Sequence, residues 1–159
     1  MMHGKDVRLK SLSVAFADTI ALHPIDLAIE AGEFVSVLGP SGAGKTTLLR
    51  AVAGHLAPAL GRILVGDVDL TDLGPEHRPT AMVFQSLALF PRMSVADNVA
   101  FGLEARGVDR ATRRARAEEL LDLVGLAGAG ARAPADLCTG DGRRVAVARA
   151  LAVDPAVLL

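Results

Sequence analysis

The chain has no tryptophan, no tyrosine, one cysteine and five phenylalanines among 159 residues. Hydrophobic residues make up 51% and aromatics only 3%, so a core has to be aliphatic, built from Ala, Val and Leu. A lone Cys138 cannot form an internal disulfide, and a reducing compartment fits it best. Neither sign of charge dominates. Seventeen Lys and Arg against eighteen Asp and Glu leave a net charge of −1, which argues against a general nucleic-acid binder. No uninterrupted apolar run approaches membrane-spanning length, and Met1–Lys10 lacks the apolar centre of a secretory leader. The expectation is a soluble protein whose membrane role comes through a partner. The length suits one domain, and a chain of this size can bury about two-thirds of its unfolded surface.

What is present begins with Gly39-Pro40-Ser41-Gly42-Ala43-Gly44-Lys45-Thr46-Thr47, the Gly-x-x-x-x-Gly-Lys-[Ser/Thr] pattern of a P-loop. Glycines let successive backbone N–H groups turn inward around an anion with no Cβ in the way. Lys45 can reach β- and γ-phosphate oxygens, and the Thr46 hydroxyl can hold Mg²⁺. Ahead of the loop, Phe34–Leu38 reads as an apolar strand; behind it, Leu48, Leu49, Val52, Ala53 and Leu56 fall on one helical face. Strand, glycine loop and helix together aim a helix N-terminus at phosphate.

Along the rest of the chain, Val7–Leu9, Ile25–Ile29, Arg62–Val65 and Ala81–Phe84 read as further strands, with a turn at Glu30–Glu33. The P-loop helix is expected to end near Gly54. Past residue 93 the pattern turns helical. A capping-box-like start at Ser94–Asp97 leads a helix carrying Val95, Val99 and Leu103 on one face. A second helix spans Asp109–Leu126, a loop Gly125–Ala135, and a third helix Gly142–Val153, before a last apolar run at Ala156–Leu159. The fold class this predicts is α/β: a P-loop NTPase core with an N-terminal antiparallel β-subdomain and an inserted helical lobe. No internal repeat is evident.

Weaker signals read as ordinary surface. Asp67, Asp69 and Asp72 lack the glycine and closing glutamate of an EF-hand, and His3, His23, His55 and His77 show no metal-ligand spacing. Arg110, Arg113, Arg114 and Arg116 are followed at once by Glu118, Glu119 and Asp122, the mark of a charged helix exterior. A GTPase would want Asn-Lys-x-Asp for guanine, and the one asparagine, Asn98, is followed by Val99.

Four stretches carry a family resemblance: Gly39–Arg50, Met82–Pro91, Val95–Leu103 and Arg144–Leu151. With them the chain resembles, from about residue 7 onward, the ATPase subunits of ATP-binding cassette transporters, in particular bacterial importers of the polyamine, iron(III) and sugar type. The resemblance places the family's Q-loop glutamine on Gln85, at the end of a strand, where relatives contact Mg²⁺ and the attacking water. An amide suits that role because it offers an acceptor and a donor at once. The segment after it meets membrane subunits in relatives. Phe16 falls where the family stacks an aromatic on adenine; a core phenylalanine on the first hairpin is the other reading. Arg132–Leu137 matches the approach to the family signature loosely. The resemblance further implies ATP and Mg²⁺ as ligands, a homodimer of ATPase subunits, transmembrane permease partners, a solute-binding protein reached indirectly, and a cytoplasmic location on the inner face of the plasma membrane. It divides the chain into a β-subdomain and P-loop core to about residue 92, a helical lobe over about 93–138, and a signature helix with the start of a strand over about 139–159.

The sequence departs from that pattern twice. Where the signature would read Leu-Ser-Gly-Gly-Gln, the chain has Leu137-Cys138-Thr139-Gly140-Asp141. In the family's head-to-tail dimer this motif faces the γ-phosphate on the other subunit. Cys138 is a poor donor there, and Thr139 adds a β-branched side chain where backbone must approach. Asp141 would favour its own helix and oppose a triphosphate. Second, the strand at Ala156–Leu159 stops before the family's Walker B Asp and catalytic Glu, so no catalytic carboxylate is expected within these residues and an apolar edge is expected to lie open. A fragment is the favoured reading of that ending, with completion by another chain as the other. A non-catalytic or vestigial nucleotide-binding protein is the corresponding alternative function.

Overall fold

The computed structural model describes residues 4–17 and 19–159. They divide into two compact units, one through Thr80 together with Leu159, the other Ala81–Leu158. Of the residues weighed above, Met1, Met2 and His3 lie outside the described residues.

The first unit is built on a four-stranded sheet of order β2-β1-β3-β4. Its strands are β1 (Val7–Phe16), β2 (Thr19–Ile29), β3 (Leu60–Val65) and β4 (Val68–Asp69). β1 runs antiparallel to both neighbours, with Val7 opposite Ile29 on one side and Val65 on the other. Val7 and Leu9 point into the core, then the register slips and Leu12 and Val14 take over. A strand alternates faces with period two, so one extra residue changes which parity is buried. The slip centres on Ser11, whose φ of 46° is left-handed and whose N–H donates to Asp26 Oδ1 at 2.8 Å. β2 is the edge strand, which is why it tolerates Pro24. Helix α1 (Lys45–Val52) buries Leu48, Ala51 and Val52.

The second unit is a helical lobe of α2 (Val95–Ala105), α3 (Arg110–Leu123) and α4 (Thr139–Ala152). Val95, Val99, Leu121 and Val145 are wholly buried in its core, each contributing about 1.5–3 kcal/mol by transfer out of water. Alanines at 96, 100, 117, 148 and 152 let the helices approach closely. Gly102 of α2 lies against the end of α4: a Cβ there would meet Val153 Cγ1 at 2.5 Å. Two short strands, β5 (Thr80–Ala81) and β6 (Val157–Leu158), form a second sheet.

Several sequence expectations are corrected here. Phe34–Leu38 forms no strand. It lies outside both sheets with Phe34 92% and Leu38 89% exposed, because no strand among the described residues supplies a ladder beside it. The strand expected over Ala81–Phe84 is confined to Thr80–Ala81, so Gln85 stands in a turn beyond a strand end. The helix expected from Gly142 starts three residues earlier. Cys138 takes the N-cap conformation and its Sγ accepts the Asp141 N–H at 3.4 Å, a cap outside the usual Ser, Thr, Asp and Asn set. The helix expected to run to Leu126 ends at Leu123, where left-handed Gly125 closes a turn with Leu126 N–H on the Leu121 carbonyl.

Candidate phosphate-binding loop and signature-like segment

The loop Gly39–Thr47 is a run of tight turns that delivers the chain into α1. Ala43 N–H donates to the Pro40 carbonyl at 3.3 Å, closing the first turn. Gly42 and Gly44 both take φ of 83°, in the left-handed region that a Cβ disfavours. At Gly44 space adds a second reason: a Cβ would stand 2.8 Å from the Ala21 carbonyl oxygen of β2. At Gly42 the space is open, so backbone conformation alone accounts for the glycine. Gly44 is the N-cap of α1, and its carbonyl accepts the first helical bond from Leu48 at 2.8 Å.

Charge completes the geometry. The Lys45 ammonium lies across the loop, donating to the Gly39 carbonyl at 2.9 Å and the Pro40 carbonyl at 2.6 Å. The first turn of α1 holds no acid, whereas α2 and α4 carry Asp97 and Asp141 there. The positive end of α1 is therefore left unneutralised by its own side chains. Ser41, Gly42, Ala43 and Thr46 are exposed, so amides, hydroxyls and an ammonium are open to an oxyanion from solvent. Phe16 ends β1 and is 51% exposed, so its ring is available at the surface rather than spent in the core.

The remaining sequence-selected residues belong to the second unit. Gln85 is exposed in a turn, and Leu87 and Ala88 after it take left-handed φ of 38° and 45°. Two side chains hold this stretch, and sequence reasoning singled out neither for it. Arg149 of α4 donates from Nη2 to the Leu87 carbonyl at 2.8 Å and from Nη1 to the Ala88 carbonyl at 2.7 Å, with its guanidinium 5.9 Å from the Phe90 ring centre. Burial holds its pKa below the usual arginine range. Asn98 of α2, wholly buried, accepts from Phe90 N–H at 2.7 Å and donates to the carbonyls of Phe90, Met93 and Ser94. A polar residue amid Val95, Ala96, Val99 and Ala100 was the available sequence signal. Cys138, Thr139 and Gly140 are exposed at the start of α4, with half-buried Asp141 following. Gly142 packs under the Gln85 segment: a Cβ there would meet Leu87 Cδ1 at 3.0 Å.

The family model described as ABC transporter matches residues 22–159. The chain is 52% identical, over 95% of its length, to the putative 2-aminoethylphosphonate import ATP-binding protein PhnT of Salmonella typhimurium. It is 52% identical, over 96% of its length, to the Fe(3+) ions import ATP-binding protein FbpC of Agrobacterium fabrum. It spans 41% and 43% of those two relatives. Among solved structures it superposes with a TM-score of 0.81 and 31% identity on the ATP-binding cassette MJ0796, a post-hydrolysis dimer bound to ADP and Pi, covering 96% of this chain and 72% of that one. The chain belongs to the ABC transporter family.

Proposed function

We propose that this chain is the nucleotide-binding part of an importer ATPase, taking up ATP at the Gly39–Thr47 loop and passing its closure to membrane-embedded permease subunits. The observation that carries the reading is the loop itself: left-handed Gly42 and Gly44, Lys45 across the curl, and an acid-free α1 N-terminus. Gly39 to Thr47 would cradle the phosphates, Lys45 would exchange its two carbonyl partners for phosphate oxygens, and Phe16 would stack on the base. Exposed Thr46 brings a hard oxygen donor that suits Mg²⁺ and would hold it; bound there, the ion neutralises phosphate charge. Relatives named for 2-aminoethylphosphonate and iron(III) import support an importer. The dimeric solved relative supports pairing of two copies. By the family resemblance, Cys138–Asp141 would face the partner's nucleotide. No helix among the described residues is long and apolar enough to cross a membrane, which is compatible with a cytoplasmic subunit seated on the inner face of the membrane through its permease. The solute would be selected by those partners, with a solute-binding protein reached only through them.

Titrating the protein with ADP and Mg²⁺ by calorimetry tests the loop. Lys45→Ala should weaken binding by about tenfold or more, since a charge-assisted hydrogen bond is worth about 1.5–3 kcal/mol. Equal affinity in parent and variant would refute the assignment.

A further inference from the structure

The P-loop helix is gripped at its far end by a buried arginine that the loop motif does not include. Arg78 is 5% exposed. Its Nη1 donates to the Ala51 carbonyl at 2.8 Å and the Val52 carbonyl at 2.9 Å, the last two of α1. Nε donates to the Leu73 carbonyl at 2.8 Å and Nη2 to the Thr71 carbonyl at 3.3 Å. Four of the five guanidinium donors are thus spent on backbone oxygens. No carboxylate pairs with Arg78 among the described residues. The countercharge for this buried cation is the negative end of the α1 dipole.

Gly54 makes room for it. The turn after α1 closes with Gly54 N–H on the Ala51 carbonyl at 3.1 Å and His55 N–H on the Arg50 carbonyl at 2.9 Å, with Gly54 at φ 85°. That pattern satisfies Arg50 and Ala51, and Arg78 takes the Val52 carbonyl. A Cβ on Gly54 would lie 2.6 Å from Arg78 Nε and 3.0 Å from Pro75 N. The glycine therefore serves both the helix-ending turn and the seat of the arginine.

We propose that Arg78 is a positioning residue for the nucleotide site: by locking the C-terminus of α1 to the Thr71–Leu73 turn, it fixes the direction in which the N-terminal amides of α1 face phosphate. This rests on the nucleotide reading of the Gly39–Thr47 loop. A short helix anchored at one end by Gly44 against β2 and at the other by a planar four-bond fork has little freedom to tilt. An oxyanion site gains from donors held in place before binding, because none of the binding energy is then spent on ordering them.

The test compares the affinity of the whole chain for ADP with Mg²⁺ in Arg78→Met, Arg78→Lys and Gly54→Ala, under conditions where circular dichroism shows each fully folded. Arg50→Met, which removes an exposed charge from the last turn of the same helix, serves as control. Arg78→Met should weaken binding about tenfold, which converts to about 1.4 kcal/mol. Arg78→Lys keeps the charge but loses the fork and should recover only part of that loss, Gly54→Ala should fall between, and Arg50→Met should match the parent. A residue that merely holds the fold together would lower the unfolding midpoint and leave affinity of the folded protein unchanged; that result overturns the proposal. A parent that binds no nucleotide overturns the loop reading, and the inference with it. Should Arg78→Met fail to fold, the Lys and Gly54→Ala variants decide by the same comparison.

Discussion

At the residue scale, Asn98 shows how much one side chain can be asked to satisfy inside an apolar cluster. Its amide meets four backbone groups at 2.7–3.3 Å. Asn98→Ala would strand the Phe90 N–H and the Met93 carbonyl, while the Phe90 and Ser94 carbonyls keep the Met93 and Asn98 N–H groups. An unsatisfied buried polar group costs about 1–3 kcal/mol, so a stability loss of at least about 2 kcal/mol is expected in urea denaturation, with Asn98→Asp also poor because it cannot donate. The sequence marked this position only as one polar residue amid Val95, Ala96, Val99 and Ala100, within a stretch that carries the family resemblance. Asp141 illustrates a different balance. In the first turn of α4 it favours the helix by about 0.3–1 kcal/mol, yet the proposed dimer would bring a triphosphate to that same turn. Replacing Cys138, Thr139 and Asp141 by Ser, Gly and Gln should raise ATP-dependent dimerisation, read by light scattering. No gain in dimer would count against a role for these residues at a partner's nucleotide.

At the element scale, legibility followed the range of the interactions involved. The helices were readable because their signals are local. α2 starts on Ser94, whose Oγ accepts the Asp97 N–H at 3.1 Å and donates to the Asp97 carboxylate at 2.6 Å. α2 and α3 both end on left-handed glycines, Gly107 and Gly125. The P-loop was readable for the same reason. What stayed hidden depends on residues distant in sequence: Arg78 reaches back 26 and 27 positions, and Arg149 reaches back 61 and 62. A strand likewise needs a partner, so the apolarity of Phe34–Leu38 alone could not make one. Arg149→Met should free the Leu87 and Ala88 carbonyls and speed proteolysis at the Gln85–Phe90 stretch while leaving nucleotide affinity of the loop unchanged; unchanged cleavage would mean the fork does not hold that stretch. The cap of α3 responds to acid. The Thr112 hydroxyl and amide, with the Ala111 amide, hold Asp109 below its ordinary value of 3.8. A depressed carboxylate contributes stability above its unfolded pKa and loses it as pH falls through the folded one. Asp109→Ala should therefore flatten the acid limb of helical-lobe unfolding below pH 3.8 and leave the neutral limb parallel to the parent.

For the whole molecule, the two units have separate cores: Leu12, Val14, Ile63 and Val65 with α1 in one, the α2–α4 bundle in the other. Each buries its own apolar surface, so each can open with its own free energy rather than as part of one transition. A ligand that binds only the native form of one unit then stabilises that unit selectively. With ADP and Mg²⁺ at one hundred times the dissociation constant, the gain is about 2.7 kcal/mol. Native-state hydrogen exchange on the intact chain reads this directly. Amides of α1 and of β1 and β3 should gain close to that full amount, because their opening requires release of whatever the Gly39–Thr47 loop holds. Amides in the centres of α2, α3 and α4 should gain far less, since nothing in their core changes when the loop is filled. An equal rise throughout would show the two units opening together, and the loop would then be coupled to the helical lobe in this chain without help from a partner. A rise confined to the first unit would instead show that filling the loop does not by itself reach the helical lobe in this chain.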